Sequence, residues 1–188
     1  MTSNIELKFQ VAVPEDANRI AHLVQAAFRA EDNGASWIGP DVALNRSFTM
    51  TSEEVLSTIN NPNAACIMVT TSEDILVGVM AAIKRSDKLA RLANLAVDQR
   101  YQRGGLGRRV LAHAEEYVQK KWGVEKIGLN ALSTRSLLIE WYESRGYVRT
   151  GDKSPFAVER LEELGLSKDL HFVEMEKFVG GGKTGESV

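Results

Sequence analysis

A cluster of glycines and arginines follows an apolar segment in the middle of the chain. Residues 92–111 read LANLAVDQRYQRGGLGRRVL, an apolar run and a polar turn that lead into a helical pattern. Glycines let the backbone approach a ligand, and the first N–H groups of a helix lack partners and carry positive partial charge. A strand, a glycine turn and a helix in this order are suited to bind phosphate. Arginines add positive charge around the turn: Arg100, Arg103, Arg108 and Arg109.

The spacing of the glycines excludes two common nucleotide-binding patterns. A dinucleotide fingerprint needs a third glycine where Val110 stands. A P-loop needs Gly-Lys followed by Ser or Thr, whereas Gly107 is followed by two arginines. Neither of these two patterns therefore describes the glycine turn.

The turn resembles the acetyl-CoA-binding motif of the GNAT superfamily of N-acetyltransferases. Its pattern, Gln/Arg-x-x-Gly-x-Gly/Ala, is matched by Gln102, Gly105 and Gly107. A second match lies at residues 141–147, which read WYESRGY and are similar to the Tyr-Glu-x-x-Gly-Phe/Tyr helix ending of many members. The resemblance covers roughly residues 5–178 and is closest to the small single-domain bacterial and fungal type.

The resemblance implies how acetyl-CoA would be held. Two central strands of the GNAT fold splay apart, and their free backbone groups pair with the pantetheine arm. The N–H of Leu95 would face the thioester oxygen, and Ala96 and Val97 would pair with pantetheine. Tyr142 would give a proton to the departing sulfur, so that Leu95 and Tyr142 are the expected catalytic groups. The other expected acetyl-CoA-binding residues are Gln102, Arg103, Gly104, Gly105, Leu106, Gly107, Arg108 and Arg135.

Two of these roles have structural alternatives. Tyr142 has the spacing to pack its helix against the neighbouring strands, together with Leu138 and Trp141. Arg135 stands where many GNAT proteins have Asn, and either a phosphate contact or a solvated side chain suits it.

The base for the reaction is not evident. An ammonium has no lone pair, and a free aliphatic amine has a pKa of about 10.4, so a base or a desolvating pocket must supply the neutral amine. Some GNAT proteins use a Glu on the fourth strand, four residues before the oxyanion donor, but Arg91 stands there and cannot serve. Glu31, Asp32 and deprotonation through water remain open.

A small-molecule primary amine, such as an amino acid, a polyamine or an amino sugar, is the expected acceptor. The chain shows no extra peptide-docking domain and no pronounced acidic groove. A protein or peptide N-acetyltransferase and a non-catalytic acyl-CoA-binding regulatory module are the alternatives. The expected acceptor walls are residues 31–50, the start of the second helix and residues 151–168. The candidates for an apolar pocket are Trp37, Trp141 and Phe156, and those that would attract a cation are Glu31, Asp32 and Asp41.

Composition limits the remaining possibilities. The chain has 188 residues, 23 basic and 25 acidic, which argues against a general nucleic-acid or anionic-membrane binder. The single Cys66 is expected in the core, and the three histidines lack ligand spacing, so no metal is expected. No run approaches the roughly 20 apolar residues of a membrane span, and no signal peptide is recognised, so a cytoplasmic protein is expected. GNAT proteins often dimerise through C-terminal strands, which allows a homodimer.

The apolar periodicities predict one α/β domain over residues 1–179 and a flexible tail over 180–188. They give a mixed, mostly antiparallel sheet of six to seven strands flanked by about four helices, in agreement with the GNAT fold and its splayed central strands. The first strand is predicted over residues 5–13 and another over 89–97. Ser52 is predicted to cap a helix, Gly146 to end the helix over 134–145, and residues 151–168 to form a long connection with one helical turn.

Overall fold

The computed structural model describes residues 6–29, 42–102 and 104–180. In these residues seven strands form one sheet: β1 (Leu7–Val11), β2 (Ala64–Thr71), β3 (Leu76–Lys84), β4 (Leu89–Val97), β5 (Lys126–Leu132), β6 (Val148–Pro155) and β7 (His171–Phe178). The α-helices in the same ranges are α1 (Ala17–Arg29), α2 (Val42–Ser47), α3 (Ser52–Ile59), α4 (Leu106–Trp122), α5 (Ser136–Glu143) and α6 (Val158–Leu164). The predicted α/β class is confirmed, with six short or long helices where about four were expected.

The sheet has the strand order β1-β2-β3-β4-β5-β7-β6. Strands β1 to β4 form an antiparallel meander, β4 and β5 are parallel, and β7 lies antiparallel between β5 and β6. The parallel β4–β5 pair needs a crossover, and α4 supplies it. A second crossover through α5 connects β5 to β6 and leaves the position between them to β7. The mixed, mostly antiparallel sheet is thus as predicted.

Helices cover both faces of the sheet over strands β2, β3 and β4. Helix α4 packs on β2, β3 and β4 from one face, here named the α4 face. Helices α1 and α3 cover the same three strands from the other, the α1 face. Side chains alternate between the faces along each strand, so Ile127 and Leu129 of β5 join the α4-face core while Gly128 and Asn130 point the other way.

The first strand is shorter than its alternation suggested. Leu7 and Phe9 are half-buried against the α4-face core, as predicted, but Val11 is 45% exposed and Val13 is 52% exposed. Strand β1 is an edge strand with one partner, and it ends at Val11 before the 3-10 turn Pro14–Asp16. Because no further strand of the described residues lies outside β1, apolar residues at its end remain in contact with water. Ile5 lies outside the described residues.

Two predicted boundaries were wrong. The cap of α3 is Thr51 rather than Ser52: its hydroxyl accepts from the Glu54 N–H at 3.2 Å, and the Glu54 carboxylate accepts from the Thr51 N–H at 2.7 Å, which completes a capping box. The connection predicted over residues 151–168 begins with the rest of β6, whereas its predicted helical turn is present as α6. Strand β6 is an exposed edge strand, so it has no buried face and no apolar alternation to reveal it.

Candidate functional site

Strands β4 and β5 separate shortly after they begin to pair. Their parallel ladder joins Leu89 to Lys126, Ala90 to Ile127 and Arg91 to Gly128, and no later pair follows in the described residues. Strand β5 continues to pair with β7 as far as Leu132. The end of β4 therefore borders a gap, here named the splay, and backbone groups there are free to bind a ligand. The predicted separation of the central strands is present.

A β-bulge bends β4 at the splay. Val79 of β3 lies opposite Ala96 while Ala81 lies opposite Ala93, so β4 has one more residue than β3 in this interval. Asn94 takes the extra step with a φ of 54°, a left-handed conformation that asparagine tolerates better than most residues. Bulges re-aim the backbone next to functional sites. The bulge sets the backbone direction of Leu95, the predicted oxyanion donor.

The glycine turn begins directly after β4. Gly105 caps α4 with a φ of 75° and offers no side-chain acceptor, so the first N–H groups of α4 stay available to a ligand. The amide of Gln102 donates to the Val97 carbonyl at 3.2 Å and ties the turn to the end of β4. A chain of N–H groups at the start of a 17-residue helix fits a pyrophosphate.

The arginines around the turn have different partners. Arg100 binds Asp98, with its Nη2 atom 2.7 Å from Oδ2, and this bond holds the pKa of Asp98 below its ordinary value. The Arg109 guanidinium lies 5.5 Å from the centre of the Phe9 ring. Arg108 lies beside Gly105, while Arg103 lies outside the described residues. Among the described arginines of the turn, Arg100 is therefore the one whose charge is offset by an ion pair.

Helix α5 packs against the glycine turn through Trp141. A Cβ atom built on Gly107 would lie 3.9 Å from Cζ2 of Trp141 and 3.9 Å from Cγ2 of Val97. The turn, the end of β4 and the end of α5 thus meet at one point. Contact across this point joins the two sequence motifs, which are more than 30 residues apart in the chain.

Tyr142 is held by the end of α5. Gly146 has a φ of 90°, and the N–H of Tyr147 donates to the Tyr142 carbonyl at 3.2 Å, while the N–H of Gly146 donates to the Glu143 carbonyl at 3.0 Å. This is a Schellman motif, in which the flanking side chains also touch. The Tyr142 ring contacts the Tyr147 ring edge-on at 5.7 Å and the Trp141 ring at 5.1 Å. Gly146 therefore ends the helix as predicted.

The Tyr142 phenol is kept protonated by its surroundings. Burial raises its pKa well above the ordinary value of 10, and the positive charge of Arg135 opposes that rise only in part. A phenol that does not ionise is available as a hydrogen-bond donor over the whole physiological range. This is compatible with the predicted role beside the departing sulfur.

Arg135 lies on the side of α1 and α2. Its Nη2 atom donates to Oδ1 of Asn45 at 3.1 Å, and its guanidinium lies 5.5 Å from the centre of the Phe28 ring. Both partners belong to elements that cover the α1 face or its edge. Its contact with a phosphate of acetyl-CoA stays a prediction.

Arg91, which replaces an acid at its place in β4, forms an ion pair with Glu174 of β7. The Arg91 Nη1 atom lies 3.0 Å from Oε2 of Glu174, and Nη2 lies 3.5 Å from Oε1. Oε1 also accepts from Asn130 at 3.0 Å and from Ser154 at 2.6 Å. Burial alone would raise the pKa of Glu174, but the hydrogen bonds from Arg91, Ser154 and Asn130 outweigh it and lower the pKa.

The ion pair lies in a pocket of about 450 Å³ that crosses β4, β5, β7 and β6 on the α1 face. We name this pocket the charged trough and define it by Arg85, Arg91, Asn130, Asp152, Ser154 and Glu174. The sequence analysis did not single out Glu174. A charged residue within the otherwise apolar β4 was the one available sign that a partner of opposite charge lies nearby.

Other candidate residues have structural roles. Cys66 is buried, and burial raises the pKa of its thiol to about 11, so it is not activated as a nucleophile. His113 packs on the Phe9 ring at 4.6 Å. In the described parts of the chain, no group of three or more His, Cys, Asp or Glu side chains could hold a metal ion. No helix in these parts is long and apolar enough to cross a membrane. Glu31, Asp32, Trp37 and Asp41 lie outside those parts.

The chain belongs to the acetyltransferase (GNAT) family, because residues 21–147, more than half of it, match the family's model. The [ribosomal protein bS18]-alanine N-acetyltransferase of Escherichia coli is 41% identical over 58 residues. That match covers 31% of this chain and 38% of the relative, so the chain spans about two fifths of the length of the curated relatives it matches.

Solved structures show the same fold. The ribosomal-protein-S18-alanine N-acetyltransferase of E. coli aligns with a TM-score of 0.69 at 19% identity and covers 97% of this chain and 100% of its own. The spermidine/spermine N-acetyltransferase SpeG of Vibrio cholerae aligns with a TM-score of 0.62 at 16% identity, over 92% of each chain. At these identities the likeness concerns the fold.

Proposed function

We propose that the protein transfers the acetyl group of acetyl-CoA to a primary amine of a small molecule, by direct attack within a ternary complex. The observation that carries this proposal is the splay of β4 and β5 next to the glycine turn, with Tyr142 at the same point. Members of the GNAT family use acetyl-CoA, and the turn and the splay suit its two ends. The pyrophosphate fits the N–H groups of α4, and the pantetheine arm fits the free edge of β4.

The bond changes follow from the chemistry of a thioester and an amine. The neutral amine nitrogen attacks the carbonyl carbon and forms a C–N bond, and the carbonyl oxygen becomes an oxyanion. The Leu95 N–H donates to this oxyanion, and one such donor contributes roughly 3 kcal/mol to the transition state. The intermediate then collapses, the C–S bond breaks, and the nitrogen loses one proton while the sulfur gains one. The products are the N-acetylated amine and CoA.

Tyr142 serves the departing sulfur as a hydrogen-bond donor. Its raised pKa keeps the proton in place before the C–S bond breaks, and the nearby charge of Arg135 lowers the cost of giving it up. A donor of this kind contributes roughly a hundredfold to ten-thousandfold in rate.

Two routes supply the neutral amine. Deprotonation through water before attack needs no side chain, and Glu31 and Asp32 remain as candidate bases. Arg91 cannot act as a base, and its ion pair with Glu174 lowers the pKa of that carboxylate, which makes it a weak proton acceptor. Neither Arg91 nor Glu174 therefore serves as the base, and both routes stay part of the proposal.

The first test is binding of acetyl-CoA by thermal shift, beside CoA and NADP. Binding that stabilises the protein raises its unfolding temperature in proportion to the logarithm of ligand concentration. We expect shifts with both CoA forms and none with NADP. Thiol release would then be followed on a panel of primary amines. The proposal would be refuted if neither acetyl-CoA nor CoA shifted the unfolding temperature.

A second candidate is acetylation of a protein N-terminus. It is favoured by the local 41% identity to an enzyme that acetylates the alanine of a ribosomal protein. The same panel distinguishes the two, because turnover confined to peptides or proteins would select this candidate. Tight CoA binding without thiol release on any amine would instead select a non-catalytic acyl-CoA-binding module.

A further inference from the structure

The charged trough adjoins the splay from the face opposite α4. Arg91 is opposite Gly128 in the last β4–β5 pair, and Asn130, two residues further along β5, is opposite Glu174. Leu95 follows Arg91 by four residues. Glu174 is therefore two residues beyond the Arg91–Gly128 pair, and the Arg91 guanidinium reaches it at 3.0 Å. The bonded groups of this pair lie about two residues, roughly 7 Å, before the level of Leu95. A ligand in the trough would reach the thioester from the side that acetyl-CoA leaves open.

We infer that the charged trough binds the acceptor, and that the acceptor is a free diamino acid of about lysine length. Its carboxylate binds Arg91, its α-ammonium binds Glu174, and its terminal amine reaches the splay. This inference rests on the proposed acetyl transfer, and it names the substrate class that the same site accepts.

Both partners of the ion pair have unused hydrogen-bonding capacity. A guanidinium has five N–H donors, and Arg91 uses two of them on Glu174. Oε1 of Glu174 accepts three hydrogen bonds, whereas Oε2 accepts one, from Arg91. The Arg91 side chain is 27% exposed and that of Glu174 is 16% exposed. The pair thus offers donors and an acceptor to a ligand that carries both signs of charge.

The two ends of the trough also carry opposite charges, positive at the β3–β4 hairpin and negative at β6. Arg85 lies at the β3–β4 end, beside Arg91, and Asp152 lies on β6. The two walls are three strand spacings apart, about 14 Å. The Asp152 carboxylate accepts from the Thr150 hydroxyl, and among the described residues neither Arg85 nor Asp152 forms an ion pair. A carboxylate is favoured at the arginine wall and an ammonium towards β7 and β6.

The same charges disfavour a polyamine. A polycation needs an excess of acidic groups, whereas Arg91 offsets Glu174 and Lys126 offsets Glu176, 2.9 Å away. Arg85 and Asp152 then balance each other. A ligand with a carboxylate and an ammonium matches this lining better than one with ammonium groups alone.

The distance to the splay sets the length of the acceptor. An extended chain advances about 3.6 Å for every three bonds, so roughly 7 Å corresponds to about six bonds. Six bonds separate the carboxyl carbon of lysine from its terminal nitrogen, and five separate those of ornithine. An α-amine lies too close to its own carboxylate to reach the thioester while the carboxylate binds Arg91.

The test compares acceptors that differ by one group. Initial rates of thiol release are measured with lysine, ornithine, cadaverine, which lacks the carboxylate, and 6-aminohexanoate, which lacks the α-ammonium. We expect kcat/KM for lysine or ornithine to exceed both analogues by at least about tenfold, since each loses one charged hydrogen-bonding group. Equal kcat/KM for lysine, cadaverine and 6-aminohexanoate would overturn the inference.

Variants assign the two groups to the two side chains. Arg91→Gln is expected to raise KM for lysine about tenfold to a hundredfold with little change in kcat, and to leave cadaverine unaffected. Glu174→Gln is expected to raise KM for lysine and leave 6-aminohexanoate unaffected. Glu116→Gln, on the exposed side of α4, is the matched control and should change none of these values.

A charge exchange separates recognition from structure. Arg91→Glu combined with Glu174→Arg keeps an ion pair across β5 but places the negative charge on β4 and the positive charge on β7. We expect it to restore the thermal stability that either single change loses, while KM for lysine stays raised. Full recovery of KM would show that the pair is purely structural and would overturn the inference. If acetyl-CoA binds but no acceptor releases thiol, the proposed acetyl transfer fails instead.

Discussion

The two sides of the splay are built in different ways. On the α4 face, the end of β4, the glycine turn and the start of α4 are continuous in the chain, and a second segment around Trp141 joins them. On the α1 face, the charged trough takes side chains from β4, β5, β6 and β7 and from the β3–β4 hairpin. The α4-face side is largely a local structure, whereas the trough is assembled from residues as far apart as Arg85 and Glu174, 89 positions away.

This difference separates the features that many GNAT proteins can share from those that are particular to this chain. The side that suits acetyl-CoA relies on backbone groups and glycines, which many sequences can supply in the same arrangement. The trough relies on individual charged side chains, and any one substitution changes which acceptor fits. Family membership therefore predicts the acyl donor well and the acceptor poorly.

The largest expected effect is on the α4 face, at Tyr142. Tyr142→Phe removes the hydroxyl and keeps the ring contacts with Trp141 and Tyr147. We expect kcat to fall about a hundredfold or more, while acetyl-CoA affinity stays within about twofold. Stopped thiol-release assays and acetyl-CoA titrations measure the two quantities.

The neighbouring Tyr147 supplies the control for that change. Its hydroxyl donates to Glu115 at 2.9 Å and lies within the core. Tyr147→Phe should lower stability by about 1 kcal/mol and leave kcat nearly unchanged. Equal losses of kcat in both variants would show that Tyr142 acts through packing.

The pH profile gives a second view of Tyr142. Because burial holds its pKa above 10, the phenol stays protonated below that pH. We expect kcat/KM to rise with pH as the acceptor amine deprotonates, and no descending limb below about pH 10. A descending limb below pH 9 that Tyr142→Phe removes would contradict the raised pKa.

A substitution at the glycine turn tests whether the backbone conformation on the α4 face is needed for acetyl-CoA binding. Gly105→Val places a β-branched residue at a φ of 75°, which costs about 1–3 kcal/mol and displaces the turn. Gly123→Val imposes the same strain at the other end of α4, at a φ of 65°. Both should lower the unfolding free energy, but only Gly105→Val should weaken acetyl-CoA binding, by about tenfold or more.

On the α1 face, Glu174 makes stability depend on pH. Its folded-state pKa is lowered, so its contribution is present at neutral pH and is lost as pH falls through the folded-state value. We expect Glu174→Gln to lower the unfolding free energy by about 1–3 kcal/mol at pH 7, and the difference from the unchanged protein to shrink below about pH 4. Urea unfolding across this range measures it, with the exposed Glu140→Gln as control. A difference that does not change with pH would exclude an electrostatic origin.

The smallest effect lies away from both sides of the splay. Thr51→Ala removes the cap of α3 and should cost about 1 kcal/mol, while Ser52→Ala should cost much less. Neither should alter acetyl-CoA binding or the choice of acceptor. A larger loss for Ser52→Ala would contradict the assigned cap.

Much of the fold was predictable because its signals are local. The bounds of β4 agree residue for residue with the prediction, since two turns enclose an apolar run. Gly146 ends α5 in a left-handed conformation, as its position indicated. The start of β6 was predicted at residues 147–150, but its remainder was missed because an exposed edge strand has no apolar periodicity. The predicted cap of α3 was one residue too late because Ser52 is as good a capping residue as Thr51.

The amino-acid sequence by itself determined the glycine turn, the helix that follows it and the family to which the chain belongs. These depend on the conformations available to glycine and on apolar spacing within some twenty residues. Only the tertiary structure decided that Arg91 meets Glu174, 83 residues away, and that Trp141 reaches the turn at Gly107. Both contacts depend on strand order and on the splay, because a side chain's partner across a sheet is set by the register of strands that are far apart in the chain.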